Sequence, residues 1–267
     1  MLRRLRSGHL ALLAATVATL AFLYLPLSLV IAYAFNKSGT QAWPPRGFTF
    51  DWVAAAIGNP GLKDAFATSL AIALGATAIA MLLGSLAALA VGRHRFFGRE
   101  TVSFVLVLPI ALPGVVTGMA LSTTASTSGF PLGYFAIVIG HATFCVVLVY
   151  NNVLARVRRM SGHIEEASAD LGADSFQTFR RVILPQMRTA ILAGALLAFA
   201  LSFDEVIVTF FVAGGVRTLP IWILQSFRLA NQVALVNVAG LVAILLSVIP
   251  VYIATRLTDD TGAVGRT

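Results

Sequence analysis

Two neighbouring carboxylates, Asp204 and Glu205, stand inside a long apolar run and are the side chains best placed to do chemistry. A charge in the middle of a membrane-spanning helix costs about 2.5–3.5 kcal/mol on insertion scales, so such residues usually face a cavity or a partner. The apolar runs hold no lysine or arginine to pair with them, which suits a cationic ligand. With Ser202, they are candidates for a substrate pathway or gate. The alternative is a structural polar network with a neighbouring helix or subunit.

A second group of charges interrupts the apolar runs further upstream, between Glu165 and Pro185. Glu165 and Glu166 suit the positive N-terminus of a helix, and Gly172 suits the left-handed exit from it. Asp174 can cap a following amphipathic helix, and Pro185 is expected to end that helix. This order of residues predicts a helix–turn–helix between two membrane spans.

The segment also resembles the EAA loop of ABC-importer permeases. Glu166-Ala167-Ser168, three residues, Gly172, nine residues and Val182-Ile183-Leu184-Pro185 match that pattern, with Ser168 and Val182 as the departures. The resemblance implies a cytoplasmic loop that docks into a groove on a separate ATP-hydrolysing subunit, with Leu171 and Phe176 as candidates to fill the groove. The coupling-loop residues are then Glu165, Glu166, Ala167, Leu171, Gly172, Phe176 and Pro185.

Composition places the chain in a membrane. Of its 267 residues 58% are hydrophobic and 11% are charged, whereas soluble domains are about 25% charged. The formal charge of +8 comes from basic residues beside the apolar runs, which fits a membrane border and not nucleic-acid binding. The single cysteine, Cys145, excludes an intramolecular disulfide, and the spacing of the four histidines indicates no metal site.

The expected fold is an all-α integral membrane protein with six transmembrane helices, of the type I ABC-importer permease kind, in one domain over residues 1–267. The 55 residues from Thr101 to Ala155 carry no Asp, Glu, Lys or Arg and exceed one span of about 20 residues. Pro109 and Pro113 predict that the third helix is bent. The expected helices are 10–35, 65–91, 102–123, 131–154, 189–213 and 232–255, with the cytoplasmic coupling loop at 156–188.

Basic residues also orient the chain. Fourteen of the 19 lysines and arginines fall in the leader, the second connection, the long loop and the tail, and five fall on the opposite side. The positive-inside rule then predicts cytoplasmic termini and a cytoplasmic coupling loop in a bacterial inner membrane.

The stretch from Ser202 to Ile221 resembles the spermidine/putrescine-type branch of the permeases, which implies a polyamine or a related cationic amine as substrate. The chain lacks the Gly-x-x-x-x-Gly-Lys-[Ser/Thr] pattern that cradles phosphates, so it is not expected to be the ATPase. With ATP hydrolysis on a separate subunit, as the resemblance implies, this chain is expected to be no enzyme and to bind no cofactor. ATP and Mg²⁺ belong to a partner. The partners implied are two copies of an ATPase subunit, a second permease chain homologous to this one, a periplasmic or extracellular substrate-binding protein, and the lipid bilayer.

Three alternatives remain open at this stage. The importer could carry another small solute, since relatives in the branch differ in substrate. A secondary carrier could use Asp204 or Glu205 as a proton site, although the inverted repeats typical of such carriers are not evident. An intramembrane enzyme would need a nucleophile–base pair or metal ligands within the helices, and the spacing offers neither.

Overall fold

The structure is a computed structural model that describes residues 2–229 and 232–263 and is helical nearly throughout. Within these ranges, the one β-type pairing is an isolated bridge between Asn36 and Phe48. The helices are α1 (Leu2–Ala34), α2 (Asp51–Gly58), α3 (Pro60–Arg93), α4 (Arg99–Ala111), α5 (Gly114–Ser128), α6 (Tyr134–Arg159), α7 (His163–Asp170), α8 (Ser175–Thr178), α9 (Leu184–Asp204), α10 (Ile207–Val212), α11 (Leu219–Ser226) and α12 (Val233–Ala263).

Helices long and apolar enough to cross a membrane dominate the described residues. Five stretches meet this description: Leu12–Ala34, Pro60–Arg93, Tyr134–Arg159, Ser175–Asp204 and Val233–Leu257. The pair α4 and α5 adds a sixth crossing if the two helices are counted as one span. The predicted class, an all-α integral membrane protein, is therefore confirmed.

The third span bends where the prolines predicted it. α4 and α5 meet at an angle of 104°, and Leu112 before Pro113 is extended, with φ −83° and ψ 141°. The proline ring disfavours helical backbone in the residue before it, and a proline fits well at the start of the next helix. Pro109 lies inside α4 without ending it.

The described residues form two compact units, and the larger one runs over 64–222 and 243–263. α6 lies at its centre, with Val149 and Tyr150 fully buried. α3 and α9 cross α6 at glycines. A β-carbon on Gly84 would lie 2.9 Å from the Val146 carbonyl oxygen, and one on Gly194 would lie 2.9 Å from the Val149 Cα. Small residues at such crossings let helix backbones approach closely in a membrane protein.

The smaller unit, residues 2–63 and 223–242 without 230 and 231, contains a loop built on a buried asparagine. The Asn36 amide donates to the Thr40 carbonyl oxygen at 2.8 Å and accepts from the Arg46 N–H at 3.2 Å. The Trp52 indole N–H donates to the Asn36 carbonyl oxygen at 2.9 Å. These bonds hold the connection between α1 and α2 around Asn36. The expectation of one domain over the whole chain stays a prediction.

The expected fifth helix, residues 189–213, is wrong at both ends. Helical structure begins at Ser175 and continues without a gap to Asp204. The chain then breaks at Glu205 and Val206 before α10 begins. No proline or glycine lies at or next to Glu205 and Val206 to mark the break. The break is made instead by a side-chain cap described below. The expected fourth helix, 131–154, differs only in its ends.

Candidate functional site

α7 and α8 form the helix–turn–helix that the sequence predicts. Gly172 has φ +83°, and α7 ends in a Schellman motif. The Gly172 N–H donates to the Ala169 carbonyl oxygen at 2.8 Å, and the Ala173 N–H donates to the Ser168 carbonyl oxygen at 3.1 Å. The Asp174 carboxylate accepts from the Gln177 N–H at 2.8 Å and so caps α8. The turn is therefore set by local hydrogen bonds.

Two further contacts hold this element in place. The Ser168 and Thr178 hydroxyls lie 2.9 Å apart and join α7 to α8. Arg93 Nε at the end of α3 lies 3.1 Å from Glu165 Oε1 in the first turn of α7. A surface pocket of about 350 Å³ lies beside this ion pair and is lined by α3 and by both short helices. The element is thus anchored to a membrane-spanning helix.

The remaining coupling-loop residues point to solvent. Leu171 is 89% exposed and Phe176 is 69% exposed, an apolar pair on either side of the Gly172 turn. Ala167 is exposed, as is Glu166, whose carboxylate lies 3.1 Å from His163 Nδ1. Exposed apolar side chains on a firmly held turn are typical of a protein-binding surface.

Pro185 does not end the helix, contrary to the expectation. The chain passes from α8 through a π-helical turn, Phe179–Ile183, directly into α9, where Pro185 occupies the first turn. The Leu184 N–H donates to the Phe179 carbonyl oxygen, five residues back. The wider turn fits because proline has no N–H to give and its ring would crowd the preceding turn of an α-helix. α8, the π-helical turn and α9 therefore form one continuous helical segment, which includes the membrane span.

The two intramembrane carboxylates point to different surroundings. Asp204 is the last residue of α9, is exposed, and its Oδ2 accepts from the Ser247 hydroxyl of α12 at 2.7 Å. Glu205 Oε1 accepts from the N–H groups of Ile207 and Val208 at 2.8 and 2.9 Å. Glu205 therefore caps α10 and creates the helix break. Both carboxylates accept hydrogen bonds from groups of this chain, and their role in a substrate pathway or gate stays a prediction.

Glu205 also lines a cavity of about 150 Å³ at the bend between α4 and α5. Among the described residues around this cavity, Glu205 and Thr117 contribute the polar side chains, and the others, which include Pro109, Phe144 and Val208, are apolar. The Thr117 hydroxyl is buried and has no hydrogen-bond partner within the described part of the chain. The N–H groups of Ile207 and Val208 contact Oε1 of Glu205, and the structure gives Oε2 no hydrogen bond within the described residues.

Ser202, the third pathway candidate, is buried and contacts a histidine. Its hydroxyl oxygen lies 2.8 Å from Nδ1 of His141 in α6, and His141 Nε2 lies 2.8 Å from the Thr209 hydroxyl oxygen in α10. Ser202 therefore faces away from solvent and into the core of the larger unit.

Comparison with known proteins identifies the family. Residues 80–261 match the family described as binding-protein-dependent transport system inner membrane component. The chain belongs to this family. The permease is 33% identical over 260 residues to the spermidine/putrescine transport system permease protein PotC of Escherichia coli strain K12, which covers 97% of this chain and 95% of PotC. It is 35% identical over 217 residues to the putrescine transport system permease protein PotI of the same strain, covering 78% and 76% of the two chains.

A solved structure shows the same fold. The permease matches a chain of a bacterial alginate ABC transporter in complex with an alginate pentasaccharide-bound periplasmic protein, with a TM-score of 0.69 at 16% identity over 99% of this chain and 97% of that one. At this identity the likeness concerns the fold. The chain is thus a multi-pass inner-membrane permease subunit of an ABC importer, and the predicted family and class of function are confirmed.

His141 is the residue that the sequence did not reveal. Sequence spacing gave the histidines no functional role, yet the ring of His141 bridges α9 and α10 inside the protein. A histidine inside a run of 55 uncharged residues is a signal in itself, because a buried imidazole needs polar partners. Its partners lie 61 and 68 residues away, so the sequence could not name them.

Proposed function

We propose that this permease subunit imports a cationic amine and that a separate ATPase drives it through the turn between α7 and α8. The main support is the exposed pair Leu171 and Phe176, held on a short, capped element that is fixed to α3 and continuous with α9. A movement of this element, imposed by the ATPase, would displace the membrane-spanning helices α3 and α9 as a rigid unit.

The coupling surface that we propose consists of Glu165, Glu166, Ala167, Leu171, Gly172 and Phe176, with Pro185 at the base of the following helix. Leu171 and Phe176 would enter an apolar groove of the ATPase, since burial of such side chains contributes about 1.5–3 kcal/mol each. The carboxylates would remain at the rim. ATP and Mg²⁺ would be bound by two copies of the ATPase subunit, and this chain would bind no cofactor.

The orientation and the remaining partners belong to the same proposal. The excess of arginine beside the α7–α8 element favours a cytoplasmic position for it and for both termini. A second permease chain would complete the pathway, and a periplasmic binding protein would deliver the substrate. The complex of the alginate transporter with its periplasmic protein is consistent with this arrangement.

A cationic amine is proposed from two observations. PotC and PotI are named for spermidine and putrescine, and the permease resembles PotC over nearly its full length. The cavity at the α4–α5 bend offers one carboxylate and one free hydroxyl on otherwise apolar walls. An ammonium group can donate to Glu205 Oε2 and to the Thr117 hydroxyl, while methylene groups contact the walls. Such a site suits one end of an aliphatic amine.

Cross-linking tests the docking surface directly. Cys145 is the single cysteine and is buried, so Leu171→Cys in a Cys145→Ser background carries one accessible thiol. In inner membranes that also hold the proposed ATPase subunit, a short thiol–amine cross-linker should join the two proteins. Phe50→Cys is the control, because Phe50 is also exposed but lies in the α1–α2 connection. Equal cross-linking from both positions, or none from Leu171→Cys, would overturn the docking proposal.

A further inference from the structure

One imidazole bridges both sides of the break between α9 and α10. His141 is 1% exposed; its Nδ1 lies 2.8 Å from the Ser202 hydroxyl oxygen before the break, and its Nε2 lies 2.8 Å from the Thr209 hydroxyl oxygen after it. Ser202 and Thr209 are buried as well. The helix is interrupted at Glu205 and Val206, and these two residues lie between Ser202 and Thr209 in the chain.

The neighbouring hydrogen bonds fix the direction of this network. The Thr209 hydroxyl donates to the Glu205 carbonyl oxygen at 2.8 Å, and a hydroxyl has only one hydrogen to give. Thr209 must therefore accept from His141, so the ring hydrogen lies on Nε2. A neutral imidazole has one N–H, and Nδ1 is then the acceptor for the Ser202 hydroxyl.

The direction of each bond runs from Ser202 to His141, from His141 to Thr209 and from Thr209 to the Glu205 carbonyl. This carbonyl belongs to Glu205, the residue that directly follows the end of α9. The same residue caps α10 with its side chain, so the backbone and the carboxylate of Glu205 are held together. The hydrogen bonds that restrain the Glu205 carbonyl therefore also restrain the orientation of the Glu205 carboxylate.

Close packing brings the partners within reach of the ring. Gly140 precedes His141, and a β-carbon there would lie 3.3 Å from Val208 Cγ1 of α10. The small residue lets α10 approach α6 next to the histidine, which places Thr209 beside Nε2. The side chain of His141 therefore contacts both helix segments.

We propose that His141 is a positioning residue that locks the break between α9 and α10 through its neutral, Nε2-protonated form. When His141 bonds to both Ser202 and Thr209, the break is a rigid bend that orients the Glu205 side chain toward the cavity at the α4–α5 bend. The lock does not depend on the proposed substrate. Only the effect of the lock on transport rests on the proposed function, because that effect requires Glu205 to lie in the substrate path.

Nitrogen NMR of the intact protein tests the ring state. The full-length chain, labelled with ¹⁵N-histidine and placed in lipid bilayers, has four histidines, and His141→Gln assigns the signal that disappears. The expected signature is a protonated Nε2 and an unprotonated, hydrogen-bonded Nδ1. A proton on Nδ1, or protons on both nitrogens at neutral pH, would overturn the proposal. This measurement uses the unaltered network and requires no variant of Ser202 or Thr209 to fold.

Hydrogen exchange tests the lock. Thr209→Val removes the hydroxyl but keeps the shape, and Thr209→Ser keeps the hydroxyl. Thr209→Val loses both hydrogen bonds of the hydroxyl, to His141 and to the Glu205 carbonyl oxygen. This loss should speed amide exchange in residues 205–212 by about five- to a hundredfold, while the serine variant stays near wild type. Thr143→Val is the matched control, because Thr143 bonds only to its own helix, at the Gly140 carbonyl.

The outcomes separate the lock from the proposed function. Faster exchange confined to 205–212 supports the lock, whether or not the protein transports amines. Equal exchange in the valine, serine and control variants would show that the ring does not hold the break. Failure of amine uptake with an intact NMR signature and a valine-specific exchange effect would remove the substrate and leave the lock.

Discussion

At the scale of single residues, Gly172 is the position where backbone geometry and the proposed coupling meet. Its φ of +83° lies in the left-handed region, where a β-carbon costs about 1–2 kcal/mol, and no atom lies within 4 Å of the place where a β-carbon would stand. Gly172→Ala should therefore strain the turn without a steric clash. We expect normal insertion and at least a severalfold loss of ATP-driven uptake, measured in membrane vesicles.

Gly129 provides the matched control. It has φ +71°, it is also free of neighbours, and it lies at the end of α5, away from the α7–α8 element along the chain. Gly129→Ala should carry a similar backbone strain but keep the ratio of uptake to ATP hydrolysis. An equal loss of that ratio in both variants would mean that strain alone, and not the coupling turn, explains the effect.

The exposed pair Leu171 and Phe176 allows a second test that leaves the fold untouched. Because both side chains are solvent-exposed, Leu171→Ser with Phe176→Ser should leave the thermal unfolding temperature of the permease unchanged. Affinity for the ATPase should fall at least tenfold, since two buried apolar side chains would be lost from the interface. Binding to the purified ATPase in detergent measures this effect.

Phe97 supplies the comparison for that test, because it is fully exposed in the turn before α4. Phe97→Ser should bind the ATPase as the wild type does. If the Leu171 and Phe176 variant also binds normally, the apolar pair is not the docking surface.

At the scale of elements, the break between α9 and α10 gives Glu205 two roles that substitutions can separate. Glu205→Gln keeps an oxygen that can cap α10 but removes the charge, whereas Glu205→Ala removes both. We expect the glutamine variant to be as stable as wild type and to lose most uptake of a cationic amine. The alanine variant should in addition lose about 1 kcal/mol of stability through the missing cap.

Thermal unfolding and uptake of labelled putrescine measure the two effects side by side. Normal uptake by the stable glutamine variant would assign Glu205 to structure alone. Asp204→Asn is a useful companion, because an amide oxygen can still accept from the Ser247 hydroxyl that contacts Asp204.

The helix crossings on α6 give a prediction about stability alone. A β-carbon on Gly194 would lie 2.9 Å from the Val149 Cα, a backbone atom that cannot turn away. Gly194→Ala should destabilise the permease by about 1–3 kcal/mol through overpacking. Gly58→Ala, where no atom lies within 4 Å, should be neutral or slightly stabilising. Unfolding temperatures in one detergent compare the two variants, and equal values would contradict the close crossing.

Some of the turns, caps and helix breaks could be predicted from the sequence, and others could not. The turn at Gly172 and the cap at Asp174 were predictable because their partners lie within six residues. The bend at Pro113 was predictable for the same local reason. The break after Asp204 was not, because it arises from a glutamate that caps the helix after it and no proline or glycine marks the place. Nor was the His141 network, whose three groups come together only through tertiary packing.

At the scale of the whole molecule, the described part of the chain consists largely of helices long and apolar enough to cross a membrane. The chain carries no phosphate-binding motif, and its family assigns it to a binding-protein-dependent transport system. The α7–α8 element and α9 would connect an external ATPase to the carboxylates at the far end of α9. In this account, α9 links the site where energy enters to the site where the substrate passes.

Uptake by the assembled transporter tests this account most directly. Vesicles should hold this chain with the proposed ATPase, second permease and binding protein, and labelled putrescine and spermidine should be supplied with and without internal ATP. We predict amine uptake that requires internal ATP and the binding protein. Coupled ATP hydrolysis without amine uptake would discard the substrate, and uptake that persists without ATP would contradict the ATP-driven mechanism itself.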